Sequence, residues 1–263
     1  MSDASISTST VLCDLDGVVW LAHDPIPGSV EAISALRSSG RRVLFVTNHS
    51  AATIAEHEAS LRTIGIEARG DVVSSSMAAA FLVEPGERVL VTGGPGIVEA
   101  VSGRGAFPVV NDGIAVDAGA ARREVPFDAA VVGIDRAFDY ARLGRAGRAV
   151  IAGARLIATN RDSTYPTPTG LEPGGGSIAA AVASVGGVEP IFAGKPEQPM
   201  ADLVVELVGT SSEELLMVGD RPDTDGLFAE RLGCRFALVE SGVTPTGRGT
   251  HRDLAAVAAT LES

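Results

Sequence analysis

The sequence predicts an α/β protein built on a doubly wound parallel sheet. Two observations carry this expectation. Short apolar runs alternate with helix-period stretches along the whole chain, which is how strands and crossover helices read in sequence. Four of the apolar runs also end in a polar residue of catalytic type, as strand ends do in an open parallel sheet.

The elements follow in order. Thr10 to Cys13 reads as a strand. Ser29 to Ser39 places Val30, Ile33 and Leu36 on one helical face, with Ala32 and Ala35 filling it. Gly28 and Gly40 bracket that helix as start and stop. Arg42 to Val46 is a second strand, and Ala52 to Ile64 a second helix closed by Gly65. Arg88 to Val91 is a strand that turns through Gly93-Gly94-Pro95-Gly96 into a helix ending near Val101. That glycine run lacks the Lys-Ser/Thr ending of a nucleotide loop, so it reads as a strand-to-helix turn. Asp128 to Ile134 and Ala154 to Ala158 are strands around a helix from Asp139 to Gly153. Gly174-Gly175-Gly176-Ser177 opens a helix through Val185. Pro190 to Ala193, Leu215 to Val218 and Arg235 to Val239 complete the strands.

Composition narrows the function classes. The chain has 263 residues, 45% hydrophobic and 21% charged, enough for one large domain or two modest ones. The net charge of -12 argues against nucleic acid or an anionic membrane as partner. No apolar run approaches the roughly 18 residues of a membrane span. Met1 to Thr10 carries no basic residue ahead of an apolar stretch, so it does not read as a signal peptide. Cys13 and Cys234 are too few for a disulfide scaffold, which makes a reducing cytoplasm the expected compartment. Of 21 Lys and Arg residues only Lys195 is a lysine, either by chance or because a site there needs a compact ammonium.

The strand ends carry the chemistry. Val11-Leu12-Cys13 runs into Asp14-Leu15-Asp16-Gly17, and the Arg42 strand into Thr47-Asn48. Ile191-Phe192-Ala193 runs into Gly194-Lys195, and the Leu215 strand into Gly219-Asp220. Adjacent strands would bring Asp14, Asp16, Thr47, Lys195 and Asp220 into one pocket beyond the carboxyl edge of the sheet. Asp14 and Asp16 point the same way in extended chain. Two such carboxylates need a cation between them or a proton on one. Asp14, Asp16 and Asp220 offer hard oxygen ligands suited to Mg²⁺. With Lys195 and the Thr47 hydroxyl they make an anion pocket, and phosphate is the anion that suits it. A carboxylate nucleophile forming an aspartyl-phosphate is an established mode of covalent catalysis.

The segments Asp14-Leu15-Asp16-Gly17-Val18, Thr47-Asn48, Gly194-Lys195-Pro196 and Gly219-Asp220 through Asp225 resemble the four ordered motifs of the haloacid-dehalogenase superfamily of phosphohydrolases. Val131 to Arg136 with Tyr140, Ile157 to Asp162 with Pro166, and Gly174 to Ser177 resemble its capped type IIA subgroup. That subgroup holds nitrophenylphosphatase-like, phosphoglycolate, glycerol-phosphate, nucleotide and pyridoxal-phosphate phosphatases.

The resemblance implies a Rossmann-like core over 1–78 and 183–263, with an inserted α/β cap over 79–182 that sets substrate specificity. It implies Asp14 as nucleophile and Mg²⁺ ligand. Asp16 would bind the metal through its main-chain carbonyl and act as general acid, then base. Thr47, Asn48 and Lys195 would bind the phosphoryl group, with Asp220 a metal ligand and Asp225 supporting the metal from behind. Asn160 and Asp162 would face the substrate from the cap.

The sequence departs from the pattern at His49, where Asn is expected, and at Gly226, which should loosen the following helix. Trp20 and His23 read equally as part of a mobile flap or as cover for apolar surface. His57 and His251 sit among polar residues and are expected to be solvated. Cys13 reads as core filler.

The expected activity is Mg²⁺-dependent hydrolysis of a small phosphorylated metabolite, with glycerol phosphate and phosphoglycolate as leading substrates. The alternatives are a phosphotransferase or phosphomutase-type enzyme, and a non-hydrolytic phospho-acceptor. Capped relatives are often dimers, which leaves a homodimer as an open outcome.

Overall fold

A computed structural model describes residues 8–113, 125–167, 170–209 and 211–262. The N-terminal stretch read above for a leader lies, up to residue 7, outside these, as does the Pro166 side chain. The chain divides into two compact units: Met1–Thr47, Ile54–Val73 and Lys195–Ser263 form the first, and Asn48–Thr53 and Ser74–Gly194 the second.

In chain order, the first unit opens with β1 (Thr10–Cys13), the short antiparallel pair β2 (Trp20–Leu21) and β3 (Asp24–Pro25), α1 (Ser29–Ser38), β4 (Arg42–Thr47), α2 (Ile54–Thr63) and β5 (Val72–Ser74). The second unit carries α3 (Ser75–Phe81), β6 (Arg88–Thr92), α4 (Pro95–Gly103), β7 (Phe107–Val110), β8 (Ala129–Val132) and α5 (Tyr140–Ile151). It continues with β9 (Arg155–Ala158), the hairpin β10 (Thr164–Thr167) and β11 (Gly170–Pro173), α6 (Gly175–Gly186) and β12 (Ile191–Phe192). The chain then returns to the first unit with α7 (Gln198–Val208), β13 (Leu215–Gly219), α8 (Leu227–Leu232), β14 (Arg235–Leu238) and α9 (Leu254–Glu262).

The first sheet has the order β14-β13-β1-β4-β5. β1 pairs in parallel with β13 on one side and β4 on the other. The register sets Cys13 beside both Phe45 and Val218, so the residues that follow all three strands emerge at one edge. These strands are buried on both faces, which is why they read as unbroken apolar runs. Phe45, Leu36, Ile33, Leu254 and Val257 close the core as α1 packs on α9.

The second sheet, β12-β9-β8-β6-β7, is parallel throughout. Its core joins Ala146, Ala149 and Val150 of α5 to Ile178, Ala179 and Val182 of α6. The two helices approach closely because of glycine: a Cβ on Gly147 would lie 2.2 Å from Val185 Cγ1, and one on Gly186 2.5 Å from Val150 Cγ1.

Three expectations are corrected here. The strand before Lys195 does not join β1, β4 and β13: β12 pairs with β9 in the second sheet, and the chain re-enters the first unit at Lys195. Alternation alone cannot say which sheet a strand enters. The expected boundaries at 78/79 and 182/183 fall inside α3 and α6, and both helices lie wholly in the second unit. His57 is buried, 5% exposed, and His251 is half-buried. Helices α3, α7, α8 and α9 and strands β5 and β7 add to the elements read from sequence. α8 in particular is only six residues long and follows a Pro-Asp-Thr-Asp-Gly turn, too short for a periodic signal. Among the described residues no helix is long and apolar enough to cross a membrane.

Candidate active site

Asp14 is the first residue past β1, and its N–H still donates to Val218 O at 3.0 Å, continuing the ladder. Its carboxylate Oδ1 accepts from Leu15 N at 2.8 Å and lies 2.9 Å from Lys195 Nζ. Both contacts fall on Oδ1, which leaves Oδ2 for other chemistry. Lys195 is 3% exposed, and its ammonium also donates to Asp225 Oδ1 at 2.7 Å. Asp225 is fully buried, and its second oxygen accepts from Arg221 N at 3.2 Å.

Local backbone explains that placement. Pro222–Gly226 forms one π-helical turn, with Asp225 N and Gly226 N both donating to Arg221 O, which rolls Asp225 inward. Gly219 at the end of β13 makes room, since a Cβ there would lie 2.3 Å from the Asp225 side chain.

Asp220 is 2% exposed. Its Oδ2 accepts from Val243 N at 2.7 Å. Its Oδ1 is buried with no hydrogen-bond partner among the described residues. Two glycines cradle the group: a Cβ on Gly17 would fall 2.4 Å from Oδ2, and one on Gly242 2.0 Å. Ser241 Oγ donates to Gly17 O at 2.7 Å and Thr244 Oγ to Asp220 O at 2.5 Å, which ties this loop over the carboxylate.

The electrostatics call for a cation. Asp14, Asp220 and Asp225 each place a carboxylate oxygen within 4.8 Å of the others. Burial pushes all three carboxyls up to about 6, with Lys195 opposing the rise. Burial alone would pull the Lys195 ammonium down, but Asp14 and Asp225 outweigh it and hold its pKa above the usual lysine value. Three carboxylates against one ammonium leave an excess of negative charge, and the buried Asp220 Oδ1 has no hydrogen-bond donor among the described residues. An all-oxygen donor set with such an orphan fits a hard divalent cation such as Mg²⁺.

Asp16 is exposed at the same strand end, and its Oδ1 accepts from Trp20 Nε1 at 3.1 Å. Crowding by protein raises its carboxyl pKa, while His23 and the indole bond oppose that rise. Thr47 ends β4, beside β1, and is 2% exposed. Asp14, Asp16, Thr47, Lys195, Asp220 and Asp225 therefore all lie in the first unit.

Asn48, Asn160 and Asp162 belong to the second unit and form a cluster of their own. Asn160 Nδ2 donates to the Asn48 carbonyl at 2.8 Å, which also accepts from Ser75 Oγ at 2.7 Å. Asn48 Nδ2 donates to Asp162 Oδ2 at 3.3 Å. Asn160 is 3% exposed: its Nδ2 is engaged with the chain just past Thr47, and its Oδ1 has no hydrogen-bond partner among the described residues. Asp162 is half-buried. The glycines at 174 and 176 let α6 start against this loop, since Cβ atoms there would fall 2.1 Å from Asp162 O and 2.3 Å from Arg161 O. Gly94 and Gly96 likewise hug the Ala51 and Ala52 carbonyls, which makes that run a packing turn.

Sequence reading missed the loop over Asp220 and the bond from Trp20. The loop from Ser241 to Thr244 follows an apolar run as the other site segments do. No charged side chain marks it in the sequence, and Val243 acts through its main-chain N–H.

Comparison with known proteins places the chain in a family. The family model described as haloacid dehalogenase-like hydrolase matches residues 11–106, and a second, HAD-hydrolase-like, matches 192–263. The chain is 35% identical over 237 residues to the acid sugar phosphatase of Staphylococcus saprophyticus, covering 89% of this chain and 86% of that protein. It is 34% identical over 254 residues to phosphoglycolate phosphatase 2 of Arabidopsis thaliana, covering 90% and 84%. The structure of a glycerol phosphate phosphatase from Mycobacterium tuberculosis in complex with magnesium superposes with a TM-score of 0.79 at 35% identity, over 90% of this chain and 69% of that one. The chain belongs to the haloacid dehalogenase-like hydrolases.

Proposed function

We propose that this protein is a Mg²⁺-dependent phosphatase that hydrolyses a small organic phosphate monoester through an aspartyl-phosphate on Asp14. The observation that carries the reading is the buried Asp14–Lys195–Asp225 chain beside the orphaned Asp220 Oδ1.

Asp14, Asp220 and the Asp16 main-chain carbonyl would hold Mg²⁺, which supplies charge neutralisation for the phosphoryl oxygens. Lys195 fixes Asp14 as the carboxylate and adds positive charge beside the phosphoryl group. Asp225 holds Lys195 in place. Thr47 and the Asn48 main chain bind phosphoryl oxygens. In the first half-reaction Asp14 Oδ2 bonds to phosphorus, the bond to the leaving oxygen breaks, and Asp16 gives that oxygen its proton. In the second, water bonds to phosphorus, the bond to Asp14 breaks, and Asp16 takes the proton from water. Uncatalysed monoester hydrolysis is slow enough that accelerations approach roughly 10²¹-fold, so a nucleophile, an acid–base, a metal and an ammonium in one site match the demand.

The second unit, inserted between the Thr47 and Lys195 segments, is proposed as the substrate-recognising cap, with Asp162 its candidate contact. Relatives named for phosphoglycolate and glycerol phosphate support those two esters as the first substrates to try, with sugar phosphates next. Two free cysteines, one buried and one half-buried, fit a reducing cytoplasm.

The test is phosphate release from para-nitrophenyl phosphate with Mg²⁺ and with EDTA, beside Asp14→Asn, followed by a panel of these esters. Metal-dependent release lost in a folded Asp14→Asn supports the reading. Phosphoryl transfer to added alcohols without net release would indicate a transferase. A stable phosphoprotein without turnover would indicate a phospho-acceptor.

A further inference from the structure

Trp20 stands out among residues that the mechanism does not use. It is 2% exposed and packs in the core of the first unit, so its ring is held by apolar contact. Its N–H nevertheless goes to an exposed side chain, Asp16 Oδ1, at 3.1 Å. The backbone is shaped to deliver it there. Val18, Val19 and Trp20 N–H groups all converge on Leu15 O, and Gly17 N donates to Trp20 O at 2.8 Å. This tight turn folds position 20 back over position 16. Beyond it, Ala22 and His23 sit at φ 49° and 71°, which is uncommon for residues other than glycine. The His23 ring lies 5.0 Å from the indole ring centre, tilted by 54°.

We propose that Trp20 is a positioning residue for Asp16: its indole N–H holds Oδ1 and leaves Oδ2 as the oxygen that carries the proton. The inference rests on the phosphatase reading above. An exposed aspartate is otherwise free about a broad terminal torsion. A general acid must lie within hydrogen-bond reach of the leaving oxygen, and a misplacement of about 1 Å costs roughly 10²-fold. One fixed N–H locks the carboxyl plane without occupying the oxygen that does the work. With Oδ1 engaged, the same Oδ2 gives its proton as the ester bond breaks and receives one from water as the Asp14–phosphorus bond breaks.

The experiment compares phenyl phosphate with para-nitrophenyl phosphate by kcat/KM, which reports aspartyl-phosphate formation. The two substrates are similar in shape, but phenolate needs a proton to leave far more than nitrophenolate does. Trp20→Phe keeps a ring and removes the donor. Replacement of Trp20 by β-(3-benzothienyl)alanine swaps N–H for sulfur at nearly constant shape, and decides the matter if Trp20→Phe does not fold. The expected result is a loss of about ten- to a hundredfold for phenyl phosphate, with less than about threefold for the nitrophenyl ester. Equal losses for both esters, or none for either, would overturn the inference while leaving the phosphatase intact. Wild-type protein with no Mg²⁺-dependent turnover, or unchanged turnover in Asp14→Asn, would instead sink the phosphatase reading and this one with it.

Discussion

The Lys195 ammonium lies 2.7 Å from Asp225 Oδ1, with both side chains shut off from solvent. The same nitrogen reaches Asp14, so one lysine ties a fully buried carboxylate to the candidate nucleophile. This accounts for a lysine rather than an arginine at position 195. A compact ammonium fits between the two acids, whereas a planar guanidinium is longer and wider.

Lys195→Arg should therefore fail although it keeps the charge. Overpacking at a site 3% exposed costs about 1–3 kcal/mol and displaces Asp14. The expected kcat is at least about 10²-fold below wild type, with a lowered thermal midpoint. Wild-type turnover in Lys195→Arg would show that the site needs charge and not shape.

Gly242→Ala should disable the site without replacing a charged residue. The new Cβ would stand 2.0 Å from Asp220 Oδ2, where Val243 N also donates. Asp220 must move, so Mg²⁺ affinity should fall by about tenfold or more while the core stays folded. Titration of activity against Mg²⁺ reads this directly, and an unchanged half-saturating concentration would refute it.

The pH dependence of stability follows from the buried carboxyls. Burial raises Asp14, Asp220 and Asp225 from 3.8 to about 6 in the folded protein. A carboxyl whose folded pKa is the higher one binds its proton more tightly when folded. Its contribution is fully present below the unfolded value and is lost as pH rises through about 6. In EDTA, Asp220→Asn should accordingly show a smaller fall in thermal midpoint between pH 4 and pH 7 than wild type. It should be the more stable protein at pH 7.5, and should lose the upward shift that Mg²⁺ gives wild type. A metal-free Asp220→Asn less stable than wild type at pH 7.5 would contradict the assignment.

Asn160 and Asp162 should part company. Asn160→Ala removes a buried donor to the Asn48 carbonyl, which Ser75 still serves, so the expected cost is about 1 kcal/mol, or a few degrees in midpoint. Its KM should change by less than about threefold. Asp162→Ala should raise KM by about tenfold or more, as expected for loss of a polar substrate contact. A larger KM effect at Asn160 would return that residue to the substrate.

The sequence by itself determined the α/β class, the main strands and the polar residues at their ends. A parallel strand buried on both faces must be an apolar run, and the first polar residue after it must leave the sheet; both facts are local. Asp14, Thr47 and Asp220 were legible for that reason, since β1, β4 and β13 lie side by side in register. Tertiary structure alone decided the rest. It sent β12 into the second sheet and still brought Lys195 back to Asp14, because sheet membership depends on pairing partners far along the chain. It buried Asn160, and it closed a loop of small residues over Asp220 through a main-chain N–H. It aimed a core tryptophan at Asp16. Such contacts join residues far apart in the chain or run through backbone groups and glycine clearances, neither of which leaves a local sequence pattern, and so they exist only once the chain is folded.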